Sequence, residues 1–189
     1  MTNKDRFLNI CKTEIKREGI EKLIKWLTSS DFFAAPSSTK YHGSYEGGLC
    51  EHSLNVYDTL KDLCSKYAPE ISQETIAITA LFHDVCKISF YKLGKRNVKE
   101  DGRWIEKDVY EIEEKIPLGH GEKSCILLQW YFPLTIEELL AIRWHMGEFD
   151  SAVKGGDYGL NNARNVSKLI PLLHIADLIA SSILETTSK

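Results

Sequence analysis

The stretch "TIAITALFHDVCK", residues 75–87, constrains this chain more than any other. It is apolar on nearly every side up to Phe82, so it reads as a helix at the centre of a core. An adjacent His83 and Asp84 then close it. A buried, unpaired carboxylate costs several kcal/mol or gives up its charge. The pair therefore needs a partner from elsewhere in the chain.

The rest of the sequence reads as mostly helical. Residues 4–17 place Phe7, Leu8, Cys11 and Ile15 at helical spacing before Gly19, and residues 20–29 repeat the pattern. "DFFAAPSSTKYHGSYEGG" is a loop. Residues 49–65 form an amphipathic helix with Leu49, Val56, Leu60 and Leu63 on one face. Ser72 caps the central helix from Gln73. Residues 90–114 depart from this pattern, because Asp101-Gly102 separates two runs holding Val98, Trp104, Ile105 and Val109. That predicts a small β-hairpin near 95–110. Helices resume over 120–131, and Thr135 with Glu138 forms a capping box for a helix reaching His145. Residues 147–166 read as a long polar loop, and 168–186 as the last helix, with Pro171 tolerated in its first turn. The expected fold is an all-α bundle carrying one hairpin, in a single domain over 1–189.

Length and composition suit that reading. The chain has 189 residues, 43% hydrophobic and 27% charged, enough for one domain with a real core. A formal net charge of -3 gives no overall field toward DNA or anionic membranes. No apolar run reaches spanning length, and the first residues lack a signal-peptide core. Five cysteines with no C-x-x-C read as reduced thiols in a cytoplasmic protein. The sequence sets no oligomeric state.

Six histidines stand at 42, 52, 83, 120, 145 and 174, and Asp177 lies in the apolar stretch "LLHIADLIA". Helix ends and one buried carboxylate are thus the candidate meeting points. Imidazole nitrogens with carboxylate oxygens suit Mn, Fe, Zn or Ni, with Mg also compatible. A divalent cation would be the partner that His83 and Asp84 lack.

The order "CEHSL", "FHDVCK", "HIADL" resembles the HD superfamily of metal-dependent phosphohydrolases over roughly residues 40–180. The superfamily signature matches His52, His83, Asp84 and Asp177. The extra His120 and His145 resemble the binuclear branches, and "HGSYEGGLCEHSLNV" is similar to the HD domain of bacterial 3'–5' exoribonucleases. The hairpin replaces a connection that is short elsewhere in the superfamily, and no segment reads as an appended nucleic-acid-binding domain.

The resemblance implies two divalent ions bridged by Asp84, with His52, His83 and Asp177 on one and His120 and His145 on the other. Metal-activated water would hydrolyse a phosphate ester of a nucleotide, another phosphorylated small molecule or a nucleic-acid end. Lys87 matches the lysine of the superfamily's H-D-x-x-K variant and would hold substrate phosphate, so Asp84 and Lys87 are the catalytic candidates. The competing reading is a regulatory module that holds metal and nucleotide without turnover, and a third is an interaction protein with a structural metal.

Substrate contacts are expected from His42 in its glycine-bearing loop, from Arg143 as a phosphate clamp, and from Lys95 and Arg96, flanked by Lys92 and Lys99 on the hairpin. Each has a plainer reading as a solvated or ion-paired surface group. Trp144 could stack a base or simply pack in the core. His174, one turn before Asp177, reads as a supporting or packing residue. Glu51 reads as a surface charge or as a base behind His52.

Overall fold

The computed structural model describes residues 1–100 and 102–185. In chain order the elements are α1 (Asn3–Glu14), α2 (Ile20–Ser29), α3 (Gly48–Tyr67), α4 (Gln73–Phe82), β1 (Tyr91–Glu100), β2 (Arg103–Ile112), α5 (His120–Gln129), α6 (Ile136–Arg143), α7 (Ser151–Lys154), α8 (Gly159–Arg164) and α9 (Leu169–Ile179). The fold is mostly helical, with one antiparallel hairpin as its sheet.

Helix α4 is central, as its composition requires. Every residue from Thr75 to Phe82 is buried. Ser72 accepts the Thr75 N–H at its start. Helix α3 packs on α4 and α9, α1 lies across α3 and α4, and α6 closes the bundle against α4 and α9. Phe7 of α1 reaches Phe32 at 5.1 Å and Phe82 at 5.9 Å between ring centroids. Each such buried side chain contributes about 1.5–3 kcal/mol.

The first helix stops at Glu14, short of the expected 17. Ile15 is already extended, and beyond it the Arg17 guanidinium reaches Glu138 at 2.6 and 3.0 Å, Glu74 at 3.4 Å and the Pro133 carbonyl at 3.1 Å. Glu138, fully buried, also completes the Thr135 capping box of α6.

The hairpin is longer than expected. Its register runs from Tyr91 opposite Ile112 to Glu100 opposite Arg103. Gly102 has φ +80° at the turn, while Asp101 of the expected Asp-Gly pair lies outside the described residues. Most of the ribbon is exposed, but its root is tied down. Tyr91 donates its hydroxyl to the Ser37 carbonyl at 3.1 Å, and Glu113 N–H bonds the Phe90 carbonyl at 2.8 Å.

Residues 147–166 are not the open loop expected. They hold a 3-10 turn (Gly147–Phe149), α7 and α8. Asp150 accepts the Ala152 N–H, and Leu160 and Ala163 are buried. Short polar helical turns give too few periodic positions for a sequence pattern to register. The last helix is regular to Ile179 and then widens into a π-helical turn, Ala180–Leu184. Residue 186, the expected end, lies outside the described residues. No described helix is long and apolar enough to cross a membrane.

Candidate metal centre

Five helical elements converge on one point. His52 comes from the second turn of α3, His83 and Asp84 from the end of α4, and Asp177 from α9. His120 opens α5, and His145 follows the end of α6. A Cβ at Gly121 would stand 2.1 Å from the Arg143 carbonyl oxygen, so only glycine there lets the start of α5 approach the end of α6.

His52 Nε2 lies 3.3 Å from His83 Nε2, 3.3 Å from Asp177 Oδ1 and 3.7 Å from Asp84 Oδ2. His83 Nε2 is 3.5 Å from the same Asp84 oxygen. Donors bound at about 2.1 Å to one ion stand roughly 3.0–3.4 Å apart in octahedral or tetrahedral geometry, so this spacing suits a shared cation. The other Asp84 oxygen, Oδ1, faces His145 Nε2 at 3.6 Å and Cys86 Sγ at 3.8 Å. His120 joins that side, with Nδ1 3.4 Å from Cys86 Sγ.

The outward ring nitrogens fix the tautomers. His83 Nδ1 donates to the Ala80 carbonyl at 2.8 Å and His145 Nδ1 to the Ile142 carbonyl at 2.7 Å. Both acceptors are carbonyls near helix ends, where intrahelical partners run out. Each Nε2 is thus left with a lone pair facing the centre. His145 Nε2 is buried and has no hydrogen-bond partner among the described residues. An orphan lone pair among converging carboxylates is what a cation would satisfy, so these residues fit a metal.

Charge is coupled across the cluster: burial opposes charge on His145, but Asp84 outweighs it and raises that imidazole. Burial opposes charge on Asp84, yet Lys87, His83 and His145 hold its carboxyl well below the usual carboxylate range. Asp177 is likewise held low against its burial, chiefly by His52. Burial pushes His83 down to about 4. It also opposes charge on His52, but Asp177 and Glu185 outweigh it and push that imidazole up to about 10. Burial lowers His120 and His42.

A cavity of about 590 Å³ opens on this cluster. Asp84, Lys87, His42, His120 and Asp177 form its polar end, and Phe90, Tyr91, Met146, Phe149 and Leu178 part of its wall. Its size suits a nucleotide-sized ligand. Lys87 Nζ stands 2.6 Å from Asp84 Oδ2. His42 is presented by a braced turn, because Ser37 and Ser38 both donate their hydroxyls to its carbonyl at 2.7 Å. The next residue, Gly43, has φ +55°, and a Cβ on it would meet Ser37 Oγ at 2.2 Å.

Other expected substrate contacts stand elsewhere. Arg143 is held by Glu122 at 2.6 Å and Asp150 at 2.9 Å, with its guanidinium 3.9 Å over the Trp144 ring. It does not line the cavity, and Trp144 is core. Lys95 pairs with Glu106 on the exposed ribbon, and Arg96 sits opposite Lys107 there, both away from the cavity. Lys92 lies 3.6 Å from Glu113. His174 supports the site through Nδ1, which donates to the His145 carbonyl at 2.7 Å.

The sequence reading missed Glu185 and Cys86. Glu185 is buried with both carboxylate oxygens 3.1 Å from His52 Nδ1. The signal was present as a lone acidic residue two helical turns beyond Asp177, after "LIASSIL". Cys86, inside "HDVCK", was read only for its redox state.

This bundle, with histidines and aspartates from separate helices around a buried point, is that of an HD domain. The chain belongs to the HD domain family, whose model matches residues 49–181. It is also 33% identical over 114 residues to dihydroneopterin 2',3'-cyclic phosphate phosphodiesterase of Methanocaldococcus jannaschii. That match covers 57% of this chain and 41% of the relative, so the chain spans about two fifths of that protein's length. No solved structure gives a significant match.

Proposed function

We propose that this chain is a metal-dependent phosphohydrolase acting on a phosphate ester, and on a diester in preference to a monoester. The observation that carries the reading is Asp84, one oxygen of which faces His52 and His83 while the other faces His145, whose Nε2 has no hydrogen-bond partner among the described residues. His52, His83, Asp84 and Asp177 would hold one divalent ion, and Asp84, His120 and His145 a second. Mixed nitrogen and oxygen donors favour Mn, Fe, Ni or Zn over Mg. Such ions supply positive charge against the phosphate and lower the pKa of water toward neutrality.

The chain's own residues do the rest. Lys87, at the cavity wall, offers an ammonium to a phosphate oxygen as a point charge. His42 faces the same space and can donate a hydrogen bond to the phosphate. The apolar wall formed by Phe90, Tyr91 and Phe149 receives the organic part of the ester and sheds water from the reacting end. The similarity to an enzyme named for a 2',3'-cyclic phosphate supports a diester of a nucleotide-like molecule or of a nucleic-acid end. The contiguous core supports one domain, and five buried free cysteines support a reducing, cytoplasmic setting.

The test is a panel of 2',3'-cyclic nucleotides, linear dinucleotides and nucleoside monophosphates, each with added Mn, Ni, Fe or Zn. Metal-dependent release from the diesters is expected. Binding of nucleotide by the metal-loaded protein, with no turnover of any member, would favour a regulatory module instead.

A further inference from the structure

His52 is held from behind as well as from the centre. Its Nδ1 lies 3.1 Å from both oxygens of Glu185, whose side chain is only 2% exposed. Asn55, one turn further along α3, donates its Nδ2 to the same carboxylate at 3.0 Å. The His42 ring lies against the His52 ring at 5.2 Å between centroids. Burying a carboxylate here is expensive for a mere tether, since an apolar residue would join α3 to the C-terminal turn at lower cost. The turn is also shaped to deliver it. In a continuous α-helix the residue eight places after Asp177 would stand about 80° round the axis. The π-helical turn Ala180–Leu184 winds less per residue and carries Glu185 back toward the side of Asp177. One helix thereby sends a carboxylate to each nitrogen of the same imidazole, Asp177 to Nε2 and Glu185 to Nδ1.

We propose that Glu185 is a positioning residue for the metal centre: it accepts a hydrogen bond from the Nδ1–H of His52, fixes the tautomer that leaves the Nε2 lone pair for the ion, and raises the basicity of that ligand. The inference rests on reading His52 as a ligand. A partner behind a metal-bound histidine is generally worth about 10- to 100-fold in metal affinity.

The test uses the full chain, stripped of metal and titrated with Co(II), whose visible spectrum reports the ligand field. Glu185→Gln keeps an oxygen for His52 and Asn55, so the tether persists while the carboxylate charge is lost. Glu185→Ala removes both. Expected are a metal-free melting temperature near wild type for Glu185→Gln, Co(II) binding weakened roughly 10-fold or more, and an altered spectrum. Glu185→Ala, where it folds, should bind more weakly still. Wild-type Co(II) affinity and spectrum in Glu185→Gln would overturn the proposal and leave Glu185 a structural tether. If the wild type itself fails to bind Co(II), Mn or Zn, the metal reading under the proposed function falls, and this inference with it.

Discussion

Lys87 Nζ lies 2.6 Å from Asp84 Oδ2, with both side chains almost wholly enclosed. A 3-10 turn sets the pair, since the Lys87 N–H bonds the Asp84 carbonyl at 3.0 Å. The ammonium thus touches the carboxylate that would bridge two ions, while its own position is the wall of the cavity.

Lys87→Ala should separate chemistry from metal binding. Protonated lysine cannot ligate a cation, so metal content should stay normal. Hydrolysis should fall by about tenfold or more, the equivalent of roughly 1.4 kcal/mol of transition-state stabilisation. Without metal the variant should also melt lower than wild type, because Asp84 loses its buried partner, a loss of about 3–5 kcal/mol. Metal should recover most of that difference. Unchanged turnover would make Lys87 a structural partner of Asp84 and nothing more.

His83→Ala and Asp84→Ala should each remove bound metal, read by elemental analysis of the purified variants. Asp84→Ala should be the less stable, since it strands Lys87 in the interior. Metal at wild-type stoichiometry in Asp84→Ala would contradict the bridging role.

Much of this arrangement was legible in the sequence because burial and charge conflict there. An apolar helix ending in His83-Asp84, and Asp177 inside "LLHIADLIA", each demanded a partner, and the fold supplies one meeting point for both. The hairpin was legible through Gly102, whose φ is +80°. Less legible were features set by tertiary pairing alone. Arg143 looked free beside His145, but Glu122 and Asp150 claim it. Lys95, by contrast, pairs with Glu106 as the plainer reading of a charge-balanced hairpin face expects. Glu185 escaped notice because only a π-helical turn brings it back to His52.

His120→Ala or His145→Ala should each lose one ion and keep the other. His120 groups with Asp84 and Cys86, while His145, its Nε2 3.6 Å from Asp84 Oδ1, also lies close to His83 and Asp177. Metal counting with competitive chelators reads the outcome. Two ions retained in both variants would contradict the assignment of these histidines.

Glu114 links the end of the hairpin to α5. Burial raises its pKa, but Lys123 at 2.8 Å and the Ile116 N–H outweigh that and hold the carboxyl below its ordinary value. A carboxyl whose folded pKa is depressed contributes stability above its unfolded value, near 4.5, and loses it as pH falls through the folded value. Glu114→Gln should therefore cost about 1 kcal/mol at neutral pH. The difference from wild type should shrink in melts taken at progressively lower pH below 4.5. A constant difference across that range would contradict the ion pair as its source.

The central claim is that this cluster is a catalytic metal centre. Hydrolysis of bis(4-nitrophenyl) phosphate by the wild type, followed before chelation, after chelation and after Mn is restored, tests it most directly, with Asp84→Asn run beside it. The expected result is activity that disappears with the chelator, returns with Mn, and is absent from Asp84→Asn throughout. A folded wild type that holds its ions yet hydrolyses neither this diester nor 4-nitrophenyl phosphate would contradict it.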